Sequence, residues 1–484
     1  MSGFPPAPAM VFIRLGPGPT GRAGHRRLTI RGVGRRMGTV KAAIQGDRDM
    51  TGIAAGMLAK AKAPSIALRW YVLGIMCCGY AISIADRYVV TTVMEPMRLD
   101  LHLSDSGVAF LTGPPLALFY VTLGIPISWL ADRTNRRNIL SCALLAWSAT
   151  TALCGLSRTY VEFLLARVGV GVGEAGGTPS ANAIIADYFP AARRPMAMCI
   201  FALGAPVGAY MGADMAGRVA NLYGWRQAFL ALGVPGLVLG LVVLLTIREP
   251  VRGRLDAKGT GDKPGFIRSM TFLWQQKAAV HVIMAGGVAA LWGWGLMWFT
   301  PTFLQRTYHL SVGEAGAVVG PIHLIGGSAA SLATAWILSR PAFADPRRVL
   351  WLLTAGVGFA TVPSFIAYQT HSLVVARLMF WIFIPAIYFY IGPTMALVQN
   401  LAPSSMRATF IAVSLLLPNV FNLVVAPQGV AFISDLAGGA HGPDAASLRL
   451  ALLLLAPSGF WAAWHYWAAR KSVVEGQRAA IGYV

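Results

Sequence analysis

Apolar residues run along this chain in blocks of about twenty to thirty, each closed by a short polar or basic connection. Twelve such blocks lie near residues 68–95, 104–131, 138–157, 159–188, 195–220, 224–247, 278–305, 311–338, 348–368, 371–399, 405–435 and 446–469. A helix of about 20 residues crosses a hydrocarbon core about 30 Å thick, whereas a barrel strand needs only about ten, so the block length predicts membrane-spanning helices. The longest connection, residues 248–277, divides them into two sets of six. The fold expected is therefore an all-α membrane protein, with twelve transmembrane helices in two pseudo-symmetric six-helix bundles. One bundle covers 66–247 and the other 278–470, with a basic N-terminal tail over 1–65, a central cytoplasmic loop over 248–277 and a C-terminal tail over 471–484.

Composition agrees. Hydrophobic residues make up 56% of the 484 and charged ones 12%, with mean hydropathy +0.59. About a quarter of a soluble chain is charged, so a water-soluble enzyme is excluded. The net charge of +21 does not imply a nucleic-acid partner, because the basic residues sit in loops and tails. Residues 1–65 alone carry eleven Lys and Arg against two acids, are rich in Pro, Gly and Arg, and hold no apolar core, which predicts a disordered tail. Arg193, Arg194, Arg347, Arg348, Arg407, Arg470 and Lys471 fall on the same alternate set of connections as Arg136 and Arg137. The positive-inside rule then puts both termini in the cytoplasm of a multi-pass protein of the inner (plasma) membrane. Trp225, Trp298 and Tyr308 fall near expected interfaces. The five cysteines lie inside apolar blocks at spacings that suit neither a disulfide framework nor a metal. No P-loop is present, so neither ATP-driven pumping nor a cofactor is expected.

Charges inside the apolar blocks are the informative exceptions, since ionisable groups at that depth are costly unless paired or wetted. Arg167 and Glu174 stand seven residues apart in the fourth block, hence on one helix face about 10 Å apart. Gly169, Gly171, Gly173, Gly176 and Gly177 leave room for a neighbouring helix or a ligand. Asp86 and Arg87 lie about eight residues before the outer end of the first block, and Arg167 about eight after the outer start of the fourth. At 1.5 Å per residue these depths match, and the groups can meet. Asp86 and Glu174 are the candidates for proton coupling: burial favours the neutral carboxyl and a nearby arginine the ionised one, a balance sensitive to access. Arg87 and Arg167 are candidates to grip an anionic headgroup through paired donors, or else serve only as partners of the two acids. Asp214 and Arg218, one turn apart, suit each other.

In the second half Glu314, Asp345, Asp435 and Asp444 all fall near loops, which assigns proton chemistry to the first half. The polar groups there are His323, Tyr388, Tyr390, Asn419 and Asn422. A histidine titrates near neutral pH; His323, Tyr388, Asn419 and Asn422 are read as substrate contacts, with hydrogen bonding between helices as the alternative.

The halves echo one another. His102-Leu103-Ser104 precedes a span that ends in a basic loop, and so does His309-Leu310-Ser311; Ala166-Arg167 is matched by Ala376-Arg377. A duplicated six-helix unit with its site at the repeat interface is an arrangement used by secondary transporters.

The loop WLADRTNRR, Trp129 to Arg137, resembles the signature loop of the major facilitator superfamily, with Ser128 and Asn135 in place of its usual glycines. Asparagine tolerates left-handed backbone, so the turn is expected to survive. The resemblance implies that Asp132, Arg133, Arg136 and Arg137 gate the cytoplasmic side, with Asp132 near the start of the eleventh span at Ser404 and Ser405. Within that superfamily ADRYVV at 85–90, GVGEAGGTPSANAIIADYFP at 171–190 and PTFLQRTYHLS at 301–311 resemble the spinster-like lipid exporters, over essentially residues 66–470. An anion/cation symporter branch shares the Asp-Arg pair and the fourth-span Glu. The expectation is a monomeric, proton-coupled secondary transporter moving an amphipathic organic anion such as a lysophospholipid by alternating access. A symporter for a small carboxylate or sugar acid is the alternative. The partners implied are the substrate, protons and the bilayer.

Overall fold

The computed structural model describes residues 12–14, 29–31, 65–190, 193–249, 266–403 and 406–481, a few of them, Asp132 included, by backbone alone. In the N-terminal unit, Phe12–Arg14 pairs antiparallel with Thr29–Arg31, Ile13 opposite Ile30. The rest of the tail expected to be disordered lies outside the described residues.

Among the described residues ten helices are long and apolar enough to cross a membrane. They are Ile66–Thr92 (first span), Asp105–Gly124 (second), Met196–Tyr223 (fifth), Trp225–Thr246 (sixth), Lys277–Tyr308 (seventh), Val312–Leu338 (eighth), Pro346–Gln369 (ninth), Leu373–Asn400 (tenth), Thr409–His441 (eleventh) and Ala445–Ala469 (twelfth). The third expected span is the helix Arg136–Cys154, whose first turn is basic. The fourth is broken: Tyr160–Glu174 and Gly177–Tyr188 are separate helices joined through Ala175 and Gly176, where the block length had predicted one. With these two the order of elements is consistent with the twelve blocks of the sequence.

The third span packs on the sixth, and the seventh and ninth on the twelfth, which builds the two bundles. They meet through the second span against the eleventh and the fifth against the eighth. All four of these contact helices leave α-geometry in mid-course. The second breaks at Gly113, and the fifth, eighth and eleventh contain π-helical turns at Met211–Met215, Ile322–Gly327 and Phe421–Val425. A π turn widens the helix locally and frees backbone from the regular ladder, which gives a helix a place to bend. Gly113 has a further reason to be glycine, since a Cβ there would overlap the Leu423 carbonyl of the eleventh span.

The sequence echo is also a backbone echo. His102 and His309 are the only non-glycine residues at positive φ among those described, at 52° and 56°. In each case the left-handed histidine stops one helix, and the serine two residues on caps the next: Ser104 accepts from Gly107 N–H and Ser311 from Glu314 N–H.

Four further expectations are corrected. Asn135 is extended, with φ −76°, and caps the third span by accepting from Asn138 N–H, so no left-handed turn is needed there. The central connection contains the helix Phe266–Gln275, which buries Leu273 and Ser269 and leaves Ile267 and Trp274 exposed, a two-faced pattern suited to a membrane surface. The C-terminal tail forms the helix Val473–Ile481, with Val473 buried and Gly476 close against Leu401 and Gln276. Trp298 is a buried side chain bonded to Asn422 rather than an interfacial anchor.

Gly113→Ala is expected to force the second and eleventh spans apart and lower the melting temperature, overpacking typically costing about 1 to 3 kcal/mol. Gly74→Ala, with nothing near its added methyl, should leave it unchanged or raised, and equal effects of the two would refute the close approach.

Candidate functional site

The first and fourth spans bring the four sequence-predicted charges together as two crossed ion pairs. Asp86 Oδ2 accepts from Arg167 Nη1 at 2.8 Å, and its Oδ1 from the Thr151 hydroxyl at 2.5 Å. Glu174 Oε2 accepts from Arg87 Nη2 at 2.7 Å and Nε at 3.2 Å, and its Oε1 from the Ser83 hydroxyl at 2.8 Å. Consecutive residues of one helix thus reach a base and an acid two turns apart on another. The glycines of the fourth span permit this by admitting helices and not a ligand: Leu116 of the second span packs on Gly171, and Trp147 of the third on Gly173.

The pairs differ in exposure. Asp86, Arg167 and Glu174 are 1%, 0% and 2% exposed, whereas the Arg87 side chain keeps 19%. Arg87 alone of the four lines the central cavity of about 520 Å³, and among the described residues it is the only charged side chain that does. Arg167, read from sequence as a possible headgroup contact, stays behind the wall in its pair with Asp86. The rest of the lining is mostly apolar or aromatic, including Tyr88, Trp294, Trp298 and Tyr388, with Thr91, Ser331, Thr334 and Asn422 as its neutral polar groups. Counting back the same number of residues from the two left-handed histidines places Trp294 where Arg87 stands and Gly293 where Asp86 stands, so the second half answers a charge with a ring. Exposed Ala202 of the fifth span and Leu332 of the eighth belong to the lining, so the cavity is bounded by the inner halves of these helices, toward the face that carries Glu249 and the helix Phe266–Gln275. Their outer halves are in contact, Gly316 and Gly320 lying against Ala213 and Asp214. Asp214 pairs with Arg218 at 3.0 Å.

Of the remaining candidates, Tyr388 and Asn422 line the cavity, and Asn422 Oδ1 accepts from Trp298 Nε1 at 2.8 Å. His323 is fully buried outside the lining, its Nδ1 2.9 Å from the Tyr388 hydroxyl and its ring edge-on to Tyr88. Asn419 donates to Leu415 O within its own helix and does not line the cavity. Tyr390 is buried. In the signature loop, Arg133 is exposed. Arg136 Nη1 reaches Asp187 at 2.6 Å, and Arg137 Nη1 reaches Ile247 O at 3.4 Å. The Glu249 carboxylate accepts from the backbone N–H groups of both Arg136 and Arg137, at 3.0 and 2.9 Å, capping the third span. The Asp132 side chain, Ser404 and Ser405 lie outside the described residues.

A second polar cluster, absent from the sequence reading, closes the opposite, outer face. Arg306 of the seventh span donates to Glu95 at 2.9 Å through Nε and to Asp105 at 2.9 and 2.6 Å through Nη1 and Nη2. Arg98 also binds Glu95, and Ser434 donates to Asp105 at 2.8 Å. Asp435 of the eleventh span accepts from the N–H groups of Asp105 and Ser106 at 2.9 and 2.8 Å, so one bundle caps a helix of the other. Two signals pointed here: Arg306 lies in PTFLQRTYHLS, and Asp435 is one of the loop-proximal acids of the second half. Burial works against the Glu95 carboxylate, but the bonds from Arg98 and Arg306 outweigh it and hold its pKa below the ordinary 4.5.

A family model described as Major Facilitator Superfamily matches residues 76–426. An MFS-type efflux pump of Mycolicibacterium smegmatis is 29% identical over 424 residues, 84% of this chain and 95% of that one. A sphingosine-1-phosphate transporter, SPNS2 of Danio rerio, is 29% identical over 232 residues, 45% of this chain and 46% of that one. Among solved structures, a bacterial homolog of the human lysosomal transporter Spinster, inward-facing and unoccupied, is 29% identical with TM-score 0.75, over 85% of this chain and 99% of that chain.

The outer cluster yields a test. Spin labels at the exposed positions Leu99 and Leu436, one in each half, in a background with the five native cysteines replaced, should report one short distance in the parent protein. Arg306→Ala is expected to add a longer-distance population, and an unchanged distribution would contradict the seal. A group with a depressed folded pKa contributes fully above its ordinary value and loses that contribution as pH falls through the folded one. Without substrate, the parent protein should therefore keep the short distance at neutral pH and lose it as pH falls below about 4.5.

Proposed function

The chain belongs to the major facilitator superfamily, and from that premise we propose that it is a proton-coupled transporter of an amphipathic organic anion, a lysophospholipid or related lipid, moved by alternating access. It works as a multi-pass protein of the plasma membrane with both termini in the cytoplasm. The observation that carries the reading is Arg87: a half-buried guanidinium on a cavity wall that is otherwise uncharged and mostly apolar or aromatic, already held by a buried carboxylate.

A guanidinium grips phosphate or carboxylate through paired donors, and the apolar remainder of the wall suits a hydrocarbon tail. The single arginine favours one anionic headgroup with a greasy body over a small diacid or sugar acid, which would want donors from both halves. The likeness to a sphingosine-1-phosphate transporter supports the same choice. The inner halves of the fifth and eighth spans, which diverge from their outer contact, give a tail a sideways route from the bilayer.

Charge balance supplies the coupling. Two arginines and two carboxylates sum to zero in a poorly hydrated place. An anion that takes Arg87 from Glu174 leaves Glu174 buried with Ser83 alone, a situation in which the neutral acid is favoured. One proton taken up by Glu174 per monoanion bound restores neutrality. Asp86, held by Arg167 and Thr151, completes the coupling set and fixes the geometry of the first span against the third and fourth. Release of the proton to the other side, once the cavity faces there, returns Arg87 to Glu174 and expels the anion.

The experiment is transport in proteoliposomes under imposed pH gradients, with lysophosphatidylglycerol and glucarate as alternative cargoes. The parent protein should move the lysolipid with strong pH dependence and leave glucarate outside. Glu174→Gln should abolish that dependence and Asp86→Asn should at least impair it. Undiminished pH dependence in both variants would remove the coupling mechanism, and preference for glucarate would replace the cargo.

A further inference from the structure

The first half uses Arg167 to hold Asp86; its echo in the second half, Arg377, has no such partner, because Gly293 stands where the acid would be. Arg377 is instead exposed on the perimeter of the tenth span, and among the described residues no hydrogen bond or ion pair joins it to another side chain. It lies four residues into the span, about 6 Å from the outer end at 1.5 Å per residue. Glu314 lies two residues into the eighth span, about 3 Å from the same end. It too is exposed, with one carboxylate oxygen, Oε2, accepting from Ser311 N–H at 2.8 Å. A groove of about 330 Å³ joins them, lined further by Val318 and Ile322 of the eighth span and Trp381 one turn below Arg377. None of its lining residues belongs to the central cavity.

An arginine facing acyl chains is costly unless it reaches water or an anion. One that merely snorkels needs no groove, no acid beside it and no tryptophan beneath it. We propose that this groove is a binding site for a zwitterionic phospholipid of the outer leaflet. Arg377 takes the phosphate through paired donors, and Glu314, closer to the water, takes the headgroup ammonium. The upper acyl chain lies along Val318, Ile322 and Trp381, deeper in the bilayer. The order of charge along the membrane normal, acid above base, matches an ammonium carried above its phosphate. A purely anionic headgroup would meet Glu314 as a like charge. The site is independent of the transport reading and stands or falls separately from it.

Native mass spectrometry of the purified full chain, titrated with phosphatidylethanolamine or phosphatidylglycerol, tests the assignment. The parent protein should retain one phosphatidylethanolamine in preference to phosphatidylglycerol. Arg377→Gln should weaken that retention at least tenfold, Arg377→Lys less, and Glu314→Gln should lower the preference for ethanolamine over glycerol headgroups at least threefold. Arg87→Gln, which alters the central cavity, should leave it unchanged. Equal retention in Arg377→Gln would mean that the arginine only reaches water. Equal binding of the two lipids by the parent protein would mean that Glu314 reads no ammonium. Loss of the retained lipid in Arg87→Gln would assign it to the central cavity instead. Any of these three results overturns the proposal.

Discussion

The crossed pairing of Asp86 with Arg167 and of Arg87 with Glu174 is the constraint on which the rest of the membrane part depends. Separating one member of a buried pair typically costs about 3 to 5 kcal/mol, because the charge left behind has neither water nor partner. That cost fixes the first span against the fourth in rotation and in height, and it explains why the fourth span is so rich in glycine. The helix must come close enough for short side-chain bonds while the second and third spans press on its other faces. The asymmetry between the pairs matters as much as their existence. One is sealed, and the other has a member, Arg87, in the cavity wall.

Around this fixed element the molecule is closed at one face and hollow toward the other. Closure is made by the outer halves of the second, fifth, eighth and eleventh spans, and each departs from α-geometry at or just below that contact. The outer cluster of Glu95, Asp105 and Arg306, with Asp435 capping a helix of the other bundle, gives closure a polar lock made of groups from both halves. Its parts are charge-assisted hydrogen bonds at partly buried positions, where they are stronger than surface ion pairs and still within reach of water.

Much of this was legible in the sequence. Block length and polarity gave the spans to within a few residues, and the interior charges named the four residues that meet. The His-Leu-Ser echo proved to be a repeated backbone turn, because a left-handed stop followed by a serine cap is a local instruction written in those residues. What could not be read were features set by tertiary packing. The break of the fourth span at Ala175 and Gly176 did have a local signal, Pro179, which offers no N–H to the Ala175 carbonyl four residues back, whereas π turns carry no composition of their own. Whether an arginine faces the cavity or an acid depends on helix rotation, which is why Arg87 and Arg167 were indistinguishable in sequence but differ in the fold. The outer lock was hidden because its acids and its arginine come from segments far apart in the chain, and loop-proximal charges ordinarily mean solvent.

The central claim is that Glu174 gives up Arg87 to an incoming anion and is left protonated. Infrared difference spectroscopy on addition of lysophosphatidylglycerol reads this directly. The account predicts a protonated carboxyl band that appears with ligand and is missing from Glu174→Gln; ligand binding without such a band would contradict it.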